Sequence, residues 1–237
     1  MGVIGDGECC LRERCKYALY SRFKEPRLYK YAVNGNWDLI PQRAKSHPNE
    51  AQFVHAFGSQ DTPLHCILKS RALDLDIQAQ RALDRLKFQA VTALLLVYQG
   101  AALTKNAFGR TPLHLACMDV LNVGEGVAQA ILDANPWAAS VQDMEGRSPL
   151  HYLVARNDRI PFSLLTNLIS VCPEALEIKD STKETPIDIV ILRGDEIEDA
   201  AQILEFIQRR SNVHVPSLHV DSQNIKSSQS SKRSISV

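Results

Sequence analysis

The chain lacks an apolar run long enough to cross a bilayer: its longest, Ala93 to Tyr98, falls far short of the roughly 20 residues a spanning helix needs. It also lacks an excess of charge, with 27 Lys/Arg against 27 Asp/Glu. No Gly-rich phosphate loop, nucleophile elbow or His-Glu metal motif occurs in it. The densest carboxylate group, Asp195, Glu196, Glu198 and Asp199, falls at the expected start of a helix, where the helix dipole favours acids. These absences predict a protein that is not an enzyme and that has no cofactor, metal or small-molecule substrate. The first residues show no charged start followed by a sustained apolar run, so no secretory signal is expected. The six cysteines are then expected as reduced thiols, in the cytoplasm or the nucleus.

Against these absences one short pattern recurs. Thr62-Pro63-Leu64-His65 reappears as Thr111-Pro112-Leu113-His114, as Ser148-Pro149-Leu150-His151 and, altered, as Thr185-Pro186-Ile187-Asp188. The last three copies are 37 residues apart and the first interval is 49. A fixed period in this range predicts stacked repeats. Ser and Thr are favoured helix N-caps, and Pro suits the first helical position because its missing N–H would be an orphan there. His65, His114 and His151 share one helix register, and neither Cys nor carboxylate recurs beside them at metal-ligand spacing. They are expected to bond within and between repeats.

The flanking residues extend the pattern. The run Leu94-Leu95-Leu96-Val97-Tyr98-Gln99-Gly100-Ala101, then Gly109-Arg110-Thr111-Pro112-Leu113-His114-Leu115-Ala116, resembles the ankyrin-repeat family. Ala32-Val33-Asn34-Gly35-Asn36-Trp37-Asp38-Leu39 is similar to that family's turn between paired helices. The resemblance implies an all-α solenoid of stacked helix-turn-helix units joined by β-hairpin-like loops. Five units are expected, at about 27–58, 59–107, 108–144, 145–181 and 182–210. An extension over residues 1–26 is expected to supply a capping helix, since Cys10, Leu11, Ala18, Leu19 and Phe23 suit one apolar face. Residues 211–237 read as a Ser-rich disordered tail.

Departures from the family pattern mark where the units differ. His47-Pro48, Asn135-Pro136 and Cys172-Pro173 replace the usual Gly-Ala, so proline is expected to stop the second helix in three units. The turns containing Asn122 to Gly126 and Asn157 to Pro161 are enlarged. From Leu73 to Tyr98 the chain has neither Gly nor Pro, which predicts a lengthened second helix starting between Leu73 and Ile77. Its expected stripe includes Leu75, Ala79, Ala82, Leu83, Leu86, Ala90, Val91, Leu94 and Leu95. Such a helix serves either as a docking edge or as cover for its neighbour.

In the ankyrin family, the loop tips and the exposed face of the first helices line a concave surface that grips a folded partner protein, with binding concentrated in a few residues. The resemblance therefore implies a protein-interaction scaffold or adaptor for a folded partner whose identity the sequence leaves open. The matching tip positions are Phe57, Ser59, Asn106, Ala107, Phe108, Asp143, Met144, Glu145, Asp180, Ser181 and Thr182, with Asp61, Arg110, Arg147 and Glu184 at the loop bases. Phe108 and Met144 are the preferred anchors if they face solvent, and core residues if they fold inward. Trp137 is a further candidate anchor, but its place just after Pro136 favours packing beneath its loop.

Charge is unevenly placed. Residues 1–30 carry seven Lys/Arg against four acids, and residues 209–237 five against one, so the ends are +3 and +4 and residues 31–208 are −7. A mildly acidic stack disfavours nucleic acid as ligand, since phosphate contacts need clustered cations. The N-terminal Gly2, Cys9 and Cys10 support an alternative, a membrane-attached adaptor anchored by an acylated N-terminus, although Asp6 stands where a myristoylation motif wants Ser or Thr.

Overall fold

Proline and glycine set where the helices begin and end. The computed structural model describes residues 25–70, 77–156, 159–194, 196–197 and 200–210. Among these residues the fold is all-α. The helices are α1 (Arg27–Asn34), α2 (Ile40–Ser46), α3 (Pro63–Lys69), α4 (Ile77–Val97), α5 (Pro112–Met118), α6 (Val120–Val123), α7 (Glu125–Ala134), α8 (Pro149–Arg156), α9 (Phe162–Val171), α10 (Pro186–Leu192) and α11 (Ala200–Arg210).

Each tetrapeptide opens a helix as expected. Pro63, Pro112, Pro149 and Pro186 are the first residues of α3, α5, α8 and α10, where no backbone donor is lost. Thr62, Thr111 and Thr185 close capping boxes with the third helical residue, a histidine in the first two and Asp188 in the last. Proline also stops α2, α7 and α9, and Pro48, Pro136 and Pro173 each begin a short 3-10 turn. Gly35, at φ 77, ends α1 in the left-handed region that costs glycine little.

The helices pack in pairs that follow the chain. In one row α1 meets α3, α3 meets α5, α5 meets α8 and α8 meets α10. In a second row α2 meets α4, α4 meets α7 and α7 meets α9. One continuous core runs between the rows and includes Leu28, Ile67, Leu94, Leu113, Ile131, Leu150, Leu168 and Ile203. Burying each such side chain contributes about 1.5–3 kcal/mol. The enlarged turn after α5 folds as an extra helical turn, α6, which buries Val120 and Val123 and ends at Gly124, at φ 92.

The long second helix is present as α4. Its C-terminal half buries Ala90, Val91, Leu94 and Leu95, while Leu83 and Leu86 are partly buried and Ala82 is exposed. The expected stripe thus fades toward the N-terminus, because α2, at 7 residues, is too short to cover a helix of 21. No helix among the described residues is long and apolar enough to cross a membrane.

The loops expected to be β-hairpin-like are closed by one backbone bond each, His55 N–H to Asp61 O, Asn106 N–H to Arg110 O, Asp143 N–H to Arg147 O and Asp180 N–H to Glu184 O, at 3.0–3.2 Å. The loops between pairs contain no strand among the described residues. Neighbouring tips share one backbone bond each, Ala107 N–H to Ser59 O, Met144 N–H to Phe108 O and Ser181 N–H to Glu145 O, at 2.8–3.1 Å. A single bond per neighbour makes no ladder. Other expectations lie outside the described residues: residues 1–24 of the 1–26 capping extension, the acylation candidates Gly2, Cys9 and Cys10, the helix start before Ile77 with Leu75, the turn residues Asn157 and Asp158, the acids Asp195, Glu198 and Asp199, and the tail from residue 211.

Candidate functional site

Three of the four loops between helix pairs are built by one polar side chain near their start. Asn106 Oδ1 accepts from the backbone N–H groups of Phe108 and Arg110. Asp143 Oδ1 accepts from those of Glu145 and Arg147, and Asp180 Oδ1 from those of Thr182 and Glu184, at 2.9–3.1 Å. This side-chain turn lets a loop satisfy its own donors. Two residues before each helix cap the chain then turns through the left-handed region, at Gly109 and Gly146 (φ 74 in both), Lys183 (φ 68) and Gln60 (φ 51).

The loops are bolted to one another at their bases. Arg110 Nε donates to Asp143 Oδ2 at 3.4 Å and Arg147 Nε to Asp180 Oδ2 at 3.1 Å. In the first loop the roles are reversed, with Asn106 Nδ2 donating to Asp61 Oδ1 at 3.1 Å. Asp61 is held further by Lys69 at 2.5 Å and by the Ser59 hydroxyl. Burial opposes ionisation of Asp180, yet bonds from Thr182, Glu184 and Arg147 outweigh it and draw the carboxyl down to about 2. Asp143 is lowered for the same reason, with the Tyr152 hydroxyl, 2.7 Å from Oδ2, as its chief hydrogen-bond donor.

The candidate residues therefore separate into two groups. Asp61, Asn106, Asp143 and Asp180 are buried and committed to the loop architecture. Phe108 is 51% exposed and Met144 76% exposed, so both face solvent on adjacent tips joined by the Met144–Phe108 backbone bond. Arg110 lies between two rings, its guanidinium carbon 5.4 Å from the Phe108 centroid and 5.2 Å from that of Tyr152. Arg147 pairs with Glu145 at 2.9 Å besides Asp180. Thr182 and Ser181 are exposed, Phe57, Ser59, Ala107 and Glu184 half-buried. Thr182 reaches Glu184 Oε2 at 3.3 Å.

The histidines behave as the repeating register implies. In His65, His114 and His151, Nδ1 accepts the backbone N–H of the helix cap at 3.1–3.3 Å. Nε2 meets the carbonyls of Arg110, Arg147 and Glu184 at 3.0, 3.0 and 3.3 Å. One acceptor and one donor fix the neutral tautomer with hydrogen on Nε2. Burial lowers all three pKa values, that of His114 to about 4. Both ring nitrogens of each histidine are occupied inside the fold.

Three features were not anticipated from sequence. Trp137 does not pack beneath its loop: it is 76% exposed, because Ala138 and Ala139 fill the core position of the same 3-10 turn. Lys87 is 2% exposed, its ammonium donating to Ser70 O at 2.9 Å and Asn122 O at 3.3 Å and lying 5.2 Å from the Trp37 ring centroid. Tyr152 supports Arg110 from below. The loop-base pairing did leave a trace: Arg110 and Arg147 are 37 residues apart, and so are Asp143 and Asp180. Compared with known proteins, the chain matches no family model and no curated protein.

Proposed function

We propose that this chain is an ankyrin-repeat solenoid acting as a non-catalytic scaffold or adaptor, which binds a folded partner protein through its loop tips and the adjoining face of the first helices. The observation that carries the reading is the pair Phe108 and Met144, exposed side by side on loops whose backbones are held by Asn106, Asp143 and the inter-loop bonds. Solvent-facing apolar side chains on a held backbone leave little backbone freedom to be lost on binding, and exposed aromatic and apolar residues are where interface energy concentrates. Arg110, flanked by Phe108 and Tyr152, adds a positioned cation at the centre. The occupied ring nitrogens of the three histidines support the non-catalytic reading, since a general base needs a free lone pair.

A photo-crosslinking side chain placed at position 108 or 144 of the full chain tests this in cells. Covalent adducts to a discrete protein, absent when the same group replaces exposed Gln78, are expected. Adducts equal at all three positions would remove the loop tips as the binding surface.

A further inference from the structure

A second recognition site follows from Trp137. The 3-10 turns Pro136–Ser140 and Pro173–Leu176 lie side by side, and between them and the end of α9 is a groove of about 470 Å³ lined by Pro136, Trp137, Ser140, Val171, Cys172 and Glu174. It shares no residue with the loop tips. The position after proline faces solvent in all three proline-opened turns, as Asn49, Trp137 and Glu174. Two of the three are polar, so the fold asks for no aromatic there, and the indole of Trp137 has no packing duty to explain it.

The turn that carries the indole is held in place. The main-chain N–H of Trp137 donates to Asn135 Oδ1 at 3.2 Å, and its carbonyl accepts from the Ser140 hydroxyl at 2.9 Å. Across the groove, the Glu174 carboxylate accepts from the Cys172 thiol at 3.7 Å. Among the described residues no cation pairs with Glu174, and none lies over Trp137. An open aromatic face and a carboxylate thus share one groove, with Pro136 and Val171 as apolar walls.

We propose that this groove binds an arginine side chain, with an apolar neighbour, from an extended segment of a partner protein. Guanidinium is the better fit than ammonium because it stacks flat on indole and can present a forked pair of donors to a carboxylate. The −7 charge of residues 31–208 attracts such a segment from a distance.

The test is fluorescence anisotropy of the full chain with a fluorescein-labelled Gly-Leu-Arg-Leu-Arg-Gly peptide and its citrulline counterpart, which keeps shape and loses charge. Saturable binding of the arginine peptide is expected, weaker by about threefold to fivefold in each of Trp137→Ala and Glu174→Gln and weakest in citrulline. Both side chains are exposed, so thermal unfolding of the two variants should match wild type. Equal binding of the two peptides, or arginine binding unchanged in both variants, would overturn the proposal. So would self-association of the chain that Trp137→Ala abolishes while the peptide has no effect, which would give the groove to a second copy. None of these outcomes depends on the loop tips, and a Phe108→Ala, Met144→Ala chain should bind the arginine peptide as wild type does.

Discussion

The imidazole of His114 joins two helix pairs: its Nε2–H donates to the carbonyl of Arg147 at 3.0 Å, while its Nδ1 accepts from the Thr111 N–H at 3.1 Å. A proton added at Nδ1 would face a donor, and burial holds the pKa down to about 4. Between the ordinary value near 6.5 and about 4, the unfolded chain binds a proton that the folded chain does not. Stability is therefore complete above about 6.5 and falls as pH drops through that window. For His114 alone the span corresponds to on the order of 3 kcal/mol, and His65 and His151 shift in the same direction. Urea midpoints should fall from pH 7 to pH 4.5, with a shallower slope in His114→Gln. The contribution of Asp180, drawn down to about 2, is lost only below the ordinary carboxylate value near 3.9, so the two effects separate by pH.

Left-handed positions should respond oppositely to glycine. Lys183 and Gln60 occupy the conformation that Gly109 and Gly146 hold in the sister loops, and Lys183→Gly should raise stability by about 0.5–1 kcal/mol by relieving the Cβ clash. Gly109→Ala should cost more than Gly146→Ala, since the new Cβ would lie 2.9 Å from the Met144 backbone nitrogen in the first and 3.4 Å from Asp180 Cα in the second. Thermal melts of the three variants give the order directly.

Lys87 is a structural cation. Its ammonium satisfies two carbonyls and lies against Trp37 with almost no water contact. Lys87→Ala would leave those carbonyls unpaired and open a cavity, for a loss of about 2–4 kcal/mol. Replacing the neighbouring exposed Phe88 by Ala should cost under about 1 kcal/mol in the same denaturation measurement.

The two groups of tip residues should differ in what they support. Asp143→Ala removes acceptors for two backbone N–H groups, the Tyr152 hydroxyl and Arg110, and should destabilise by about 2 kcal/mol or more. Phe108→Ala and Met144→Ala should each stay within about 0.5 kcal/mol of wild type by chemical denaturation.

Helix starts were legible because capping is local chemistry: Thr-Pro-Leu-His states its N-cap, its first-turn residue and its apolar face in four letters. The proline-stopped helices and the long α4 were legible for the same reason. What escaped was set by packing between elements. Asp143 and Asp180 look like solvent-facing loop acids until the neighbouring Arg110 and Arg147 are brought against them. Lys87 sits in a helix that reads as amphipathic, and only the meeting of Ser70, Asn122 and Trp37 buries it. Trp137 faces outward because two alanines after it take the core position. Phe108 and Met144 could be named from their place in the pattern, but their exposure is a property of the folded loops.

The central claim is that binding resides in the exposed tips while the polar loop residues hold them in place. It is tested most directly by quantitative affinity purification with the full-length chain, comparing wild type with the Phe108→Ala, Met144→Ala double variant after both are shown to melt alike. The account predicts that at least one protein enriched by wild type falls about tenfold or more with the variant. Identical enrichment of every co-purifying protein by two equally stable chains would contradict it.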